Sequence, residues 1–231
     1  MLKPEHIKAI SLDLDDTLWP VWPTIDRAER LLHDWFATHA PRTAALYPGP
    51  QALRGIRDAV ERQRPDLAHD MSALRRESIR LALSHAGDDP QLAGPAFDVF
   101  LAERHNVSFF PDALPALEAL ASRYPLVSLS NGNAEISRVG LAPYFVGSVA
   151  ALQAGFSKPD PRIFQLAADA AGVQPHEVLH VGDDAHLDAL AALQAGMQAA
   201  WVNRTQAAWP HAERPQLEVA HLGELVEILS A

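Results

Sequence analysis

Ile7-Lys8-Ala9-Ile10-Ser11-Leu12-Asp13-Leu14-Asp15-Asp16-Thr17 is the stretch on which the fold turns. Ile7, Ile10, Leu12 and Leu14 supply an apolar run that predicts a buried strand from Ile7 to Asp13, and the run ends in carboxylates. Later runs behave alike. Leu126-Val127-Ser128-Leu129 leads into Ser130-Asn131-Gly132, and Val178 to Val181 leads into Gly182-Asp183-Asp184, with Asp188 beyond. Lys158-Pro159 lies between them, and Ala199 to Val202 is a further apolar run. Helical patterns separate the runs: Ala113 to Arg123, a short helix ending at Val139, Pro161 to Ala171, and Leu187 to Ala195. Asn203 to Pro215 reads as a surface connection before a last short strand and helix. Strands alternating with helices predict parallel βαβ units in a doubly wound α/β sheet. Ligands of such sheets bind beyond the carboxyl ends of the strands, where all four polar motifs sit or can reach.

The alternation is interrupted once. After Pro20 and Pro23 the apolar spacing becomes helical through Ile25, Ala28, Leu32, Trp35 and Phe36. It continues through Leu53, Ile56 and Val60, then Leu74, Ser78, Leu81 and Ala82, then Ala93, Phe97, Phe100 and Leu101. Breaks at Pro41, Pro48-Gly49-Pro50, Pro65 and Gly87-Asp88-Asp89-Pro90 predict about four helices. The expected division is a core made of residues 1–18 and 107–231, with 19–106 as a helical domain inserted after the first strand.

A composition of 48% hydrophobic and 21% charged residues is that of an ordinary globular chain. No stretch is long and apolar enough to span a bilayer, and Met1 to Ile10 does not read as a signal peptide. A cytoplasmic protein is expected, as monomer or homodimer, without membrane or nucleic-acid partners. The absence of Cys excludes disulfides, thiolate metal sites and cysteine nucleophiles. The net charge of −10 argues against non-specific nucleic-acid binding and mildly repels anions. A phosphate site must therefore be built locally, from a cation, Lys158 and backbone amides.

The four motifs supply what phosphoryl transfer needs. Asp13 is the expected nucleophile and Asp15 the general acid, which then serves as base for a hydrolytic water. Thr17 reads as a structural residue that fixes the loop. Ser130, with the amides of Asn131 and Gly132, can hold phosphoryl oxygens at a helix N-terminus; taken alone the segment is ordinary turn chemistry. Lys158, by default a solvated loop residue, becomes in this register the cation that neutralises nucleophile and phosphoryl group. Asp183, Asp184 and Asp188 repel one another unless solvated or bound to a cation, and they suit Mg²⁺. Asp183 is expected as a direct ligand, and Asp184 and Asp188 as more remote or water-mediated ones. His180 reads as a hydrogen-bonded strand residue. Trp19 and Trp22, where the insertion begins, read equally as a substrate wall or as hinge packing.

In order and spacing these motifs resemble the haloacid dehalogenase-like (HAD) superfamily across essentially the whole chain. The resemblance implies a Rossmann-like core with an inserted α-helical C1 cap, Mg²⁺ as cofactor, a metal site that includes Asp13 and the Asp15 carbonyl, and a small phosphorylated metabolite as substrate. Asp13 to Leu18, Leu126 to Asn133, Leu179 to Asp184 and Ala195 to Ala199 look most like bacterial phosphatases of FMN and of 5-amino-6-(5-phospho-D-ribitylamino)uracil. Trp19, Trp22, Arg76 and Arg27 are then expected to meet a ring or ribityl group. Phosphoglycolate or nucleotide phosphatases are the alternatives. A 2-haloacid dehalogenase needs neither the acid at Asp15 nor the metal carboxylates. A phosphomutase finds no matching feature for turning an intermediate round. A receiver module lacks an insertion and carries its acidic pair first, and a non-catalytic relative should lack a motif residue.

Overall fold

The computed structural model describes residues 2–230. The chain divides into two compact units, one made of the segments up to Pro20 and from Phe109 onward, the other of Val21–Ser108. Both boundaries lie two residues later than the expected ones (20 against 18, 109 against 107). Trp19 explains the difference: it is fully buried with its ring edge-on to Phe109, and the Phe110 amide donates to the Leu18 carbonyl.

In the first unit six strands are described: β1 (Ala9–Leu12), β2 (Leu126–Ser130), β3 (Gly147–Ala150), β4 (Val178–Gly182), β5 (Gln198–Val202) and β6 (Leu217–Val219). They form one parallel sheet in the order β3-β2-β1-β4-β5-β6. β1, β2, β4 and β5 are buried along their whole length, which is why they read as near-continuous apolar runs. The chain winds outward from β1 to β3 and then from β4 to β6, so the topological switch lies between β1 and β4. Leu12 is opposite both Ser128 and Val181, which brings the carboxyl ends of β1, β2 and β4 level.

The helix Pro161–Ala171 lays Ile163, Phe164, Ala167 and Ala168 against Ala9, Val127, Leu129 and Val178. Asp160 caps its start through the Arg162 amide at 2.9 Å, and Gly172 ends it at φ 72°. Two expected helices differ. Between Asn131 and Val139 there is no helix: Arg138 and Val139 close only a single turn onto the Glu135 carbonyl, and Gly140 at φ 82° ends it. The stretch after β4 starts two residues early as a π-helical turn, Ala185–Leu190, and becomes α-helical only at Ala191–Gln194.

The second unit has helices Val21–His39, Pro41–Leu46, Arg54–Gln63, Met71–Ala86 and Ala93–Arg104. The extra helix arises at Pro41, which begins a helix rather than breaking one, because the first position needs no amide hydrogen. Ala28, Leu32, Phe36, Ile79, Leu83, Phe97 and Phe100 form its core, and buried Glu29 is held by Arg54 at 2.7 Å and Arg75 at 3.6 Å. Among the described residues no helix is long and apolar enough to cross a membrane.

Candidate active site

Asp13 leaves β1 at the switch point, its amide bonded to the Val181 carbonyl of β4 at 2.9 Å. Lys158, only 4% exposed, places its Nζ 2.6 Å from Asp13 Oδ1 and 2.5 Å from Asp188 Oδ1. The Thr17 hydroxyl lies 3.2 Å from Asp13 Oδ2 and 3.1 Å from Asp183 Oδ1 and can donate to either. Asp188 Oδ2 accepts the Asp184 amide at 3.0 Å, and Asp188 Oδ1 also meets His180 Nε2 at 3.2 Å.

Charge at this centre is not balanced. Three carboxylates (Asp13, Asp183, Asp188) share one ammonium, so the fully ionised set carries −3 + 1 = −2. Burial acts first on each group. It pushes Asp13 well above the ordinary carboxylate range against the pull of Lys158, with Asp188 and Asp183 adding to the rise. Burial, then Asp188 and Asp16, push Asp183 up to about 7. Asp188 is buried too, yet Lys158 and His180 hold it below the ordinary range. Lys158 is desolvated but raised by Asp13 and Asp188, and burial holds His180 below its usual value against the pull of Asp188. One ammonium thus stabilises one carboxylate well and leaves two short of a counter-charge. Ligand oxygens of Asp13, Asp183 and Asp188 lie within 4.8 Å of one another, the one such group among the described residues. An oxygen-only donor set with a −2 surplus fits a hard divalent cation such as Mg²⁺.

The remaining expected site residues fall in different places. Asp184 does not join the cluster: its Oδ1 accepts the amides of His186 and Leu187 at 2.8 and 2.7 Å, capping the π-helical turn. The Asp15 side chain also lies outside it, with Oδ1 accepting from Trp19 Nε1 at 2.9 Å. Trp19, fully buried, therefore supports Asp15 rather than forming a wall. Ser130 is buried at the end of β2, its Oγ accepting the Gly132 amide at 3.0 Å, and with no helix behind it no helix N-terminus adds to an anion contact there. Asn131 is committed elsewhere: its amide group donates to the Lys158 carbonyl at 2.9 Å and accepts the Lys158 amide at 2.8 Å. It clamps the lysine loop. In the helical unit Trp22 is 54% exposed with the Arg54 guanidinium 5.1 Å from its ring centre, and Arg76 lies 4.2 Å from that of Phe97. Arg27 is engaged by Glu103 at 2.7 Å and the Asn106 carbonyl at 2.5 Å.

Several residues that shape the site carry no local signal. Arg204 donates to the Thr17 carbonyl at 2.9 Å and forms a two-pronged bridge to Asp112 at 3.1 and 2.9 Å, while Asp112 also accepts the Leu222 amide. The start of the expected surface connection thus holds the nucleophile loop. The available clue is that Arg204 follows β5 at the same sheet edge as the motifs. Trp201 Nε1 donates to the Asp183 carbonyl at 2.7 Å, fixing the backbone of that residue. A cavity of about 510 Å³ opens beside Asp183, lined by Asp16, Phe110, Ala185, Arg204 and Pro210 among others.

Comparison with known proteins supplies the rest. Residues 7–196 match the profile of the haloacid dehalogenase-like hydrolases. The chain is 32% identical over 232 residues to 5-amino-6-(5-phospho-D-ribitylamino)uracil phosphatase YigB of Escherichia coli (strain K12), covering 97% of each chain. It is 32% identical over 246 residues to a phosphoserine phosphatase of Thermus thermophilus, covering 95% of this chain and 98% of that one. Among solved structures, a 2-haloacid dehalogenase from Pseudomonas syringae pv. Tomato DC3000 superposes with a TM-score of 0.89 at 41% identity, covering 97% of this chain and 98% of that one.

Proposed function

The chain belongs to the haloacid dehalogenase-like hydrolase family, and we propose that it is a Mg²⁺-dependent phosphomonoesterase acting through an aspartyl phosphate on Asp13. The observation that carries this reading is the buried group of Asp13, Asp183 and Asp188 around a single Lys158, a charge surplus that a divalent cation would balance. Asp13 and Asp183, with the Asp15 carbonyl by resemblance, would hold the metal. When bound, it neutralises the charges that meet as carboxylate and phosphate approach.

The chain's own residues perform the transfer. Asp13 Oδ attacks phosphorus as the bond to the leaving oxygen breaks, and Asp15 gives that oxygen its proton. Lys158 offsets the charge on the phosphoryl oxygens, which Ser130 Oγ and the loop amides also contact. Asp15, now a carboxylate, takes a proton from water as the water oxygen attacks phosphorus. The bond to Asp13 breaks, phosphate leaves, and both carboxyl groups return to their starting states.

For the substrate we infer FMN or a ribityl-phosphate flavin precursor. The cavity of about 510 Å³ beside Asp183 is within the range of small-molecule sites. The Escherichia coli relative named for a ribitylamino-uracil phosphate supports the same class. Residues 21–108 are assigned the cap, where the exposed ring of Trp22 remains available to an aromatic ligand.

Similarity to the Pseudomonas syringae dehalogenase structure favours a second reading, in which Asp13 attacks carbon and expels halide. Halide needs no proton and no cation, so that chemistry leaves Asp15 and the −2 surplus unused. The experiment is a parallel assay of p-nitrophenyl phosphate, FMN, phosphoglycolate, phosphoserine and 2-chloropropionate, each with Mg²⁺ and with EDTA. Phosphate release that EDTA abolishes, with FMN ahead of the small acids, is expected. Halide release that survives EDTA would reject the phosphatase reading, and a phosphoglycolate or phosphoserine preference would reject the flavin assignment alone.

A further inference from the structure

His180 lies in the middle of β4 directly opposite Ser11 of β1, with no exposed surface. Both ring nitrogens are engaged: Nδ1 meets Ser11 Oγ at 2.8 Å and Nε2 meets Asp188 Oδ1 at 3.2 Å. Phe164 closes the remaining side edge-on, with ring centres 5.1 Å apart. Nε2 faces a carboxylate oxygen, and two lone pairs cannot bond, so the network assigns a proton to Nε2 whether the ring is neutral or charged. The Ser11 hydroxyl can turn to suit either state. Asp188 Oδ1 then has two donors, His180 from the sheet and Lys158 from the loop.

We propose that His180 is a positioning residue for phosphoryl transfer, fixing through its Nε2–H the Asp188 carboxylate that aims Lys158 at Asp13. The inference rests on the phosphatase reading above. Without His180 the buried Asp188 carboxylate keeps only the Lys158 and Asp184 donors and loses the one contact that ties it to the sheet. Lys158 is shared between Asp188 and Asp13 at 2.5 and 2.6 Å and would follow the carboxylate. Nothing in the chemistry requires His180 to touch substrate. Its effect should therefore appear in the chemical step and depend on one N–H.

The test compares wild type, His180→Leu and His180→Gln. The Gln side chain can return an N–H near the Nε2 position, whereas Leu fills the space without one. With p-nitrophenyl phosphate and Mg²⁺, His180→Leu should lose about 10- to 100-fold in kcat with a much smaller change in KM. His180→Gln should recover most of that loss. The nitrogen NMR spectrum of histidine-labelled, metal-free wild type should show His180 with Nε2 protonated, assigned by its disappearance in both variants. The proposal is overturned if His180→Leu keeps kcat within about threefold of wild type, if Gln is no better than Leu, or if Nε2 carries no proton. Thermal unfolding of both variants separates lost folding from lost positioning: a Leu variant that fails to fold leaves the Gln variant and the wild-type spectrum to decide. Wild type inert toward p-nitrophenyl phosphate would instead reject the phosphatase reading, and the kinetic role of His180 with it.

Discussion

Gly182→Ala is the most demanding single change for this site. A Cβ built on Gly182 would stand 2.3 Å from Asp188 Cγ, 2.4 Å from its Oδ2 and 2.6 Å from its Cβ. Ordinary contact begins at 3.4 Å, so the carboxylate must withdraw by at least 3.4 − 2.3 = 1.1 Å. If the retreat is directly away from Lys158, the 2.5 Å ion pair opens to about 3.6 Å, beyond hydrogen-bond range. Overpacking typically costs about 1–3 kcal/mol. Opening a buried pair adds to it, since each partner is then left in a dry site. A shift of about 1 Å in catalytic geometry is worth on the order of 10²-fold in rate. Turnover of p-nitrophenyl phosphate and the thermal midpoint are to be measured in Gly182→Ala, in Asp188→Gly, which removes all three clashing atoms, and in the double variant. The expected result is a rate loss of about 10²-fold for Gly182→Ala, with the double variant hardly worse than Asp188→Gly. Near-wild-type activity in Gly182→Ala, or fully additive losses in the double variant, would refute the reasoning.

Asp13→Asn should fall to background turnover while keeping its fold, and a variant with near-wild-type rate removes Asp13 as nucleophile. Asp15→Asn should lose most with an alkyl phosphate and least, in the first step, with p-nitrophenyl phosphate, whose leaving oxygen needs little protonation; equal losses count against the general-acid role. Mg²⁺ should raise the thermal midpoint more at about pH 8 than at about pH 6. Asp13 and Asp183 have folded pKa values above their unfolded ones. The stability they contribute is therefore full below the ordinary carboxylate value, about 4, and is lost as pH rises through the folded values, about 7 for Asp183. A cation that replaces those protons stabilises most where they have left, so a Mg²⁺ effect that is flat or reversed with pH contradicts the assignment.

The parallel sheet was readable because its buried strands are apolar runs cut off by polar motifs, a signal local to each strand. The same locality exposed Asp13, Lys158, Asp183 and Asp188, each within a few residues of a strand end or helix start. What escaped depends on distance in the chain. Asn131 and Lys158 are 27 residues apart and Asp112 and Arg204 are 92 apart, so no spacing rule joins them. Trp19 shows a different limit. An aromatic residue after a nucleophile loop reads the same whether it meets a ligand or, as here, supports Asp15 from within the core. The sequence leaves the place of Asp184 open because a capping carboxylate and a carboxylate near a metal have the same side chain. The two amides that engage it are visible only once the turn has formed.

β1 has a place in the order of synthesis that its place in the sheet makes awkward. Of the six described strands it is the first to leave the ribosome, yet it sits between two strands that follow it by more than a hundred residues, Ile10 pairing with Leu126 and Leu179. Until β2 is made, its backbone has no sheet partner, and until β4 is made, neither Asp13 nor Ser11 has its neighbour across the switch. The helices of residues 21–108 are translated during that interval and carry a buried cluster of their own, so they can collapse while β1 waits. Insertion of a self-contained helical unit directly after the central strand thus separates the chain's local folding from its long-range folding in time. The carboxylates gathered around Lys158 can meet only once β4 and the turn that follows it stand beside β1.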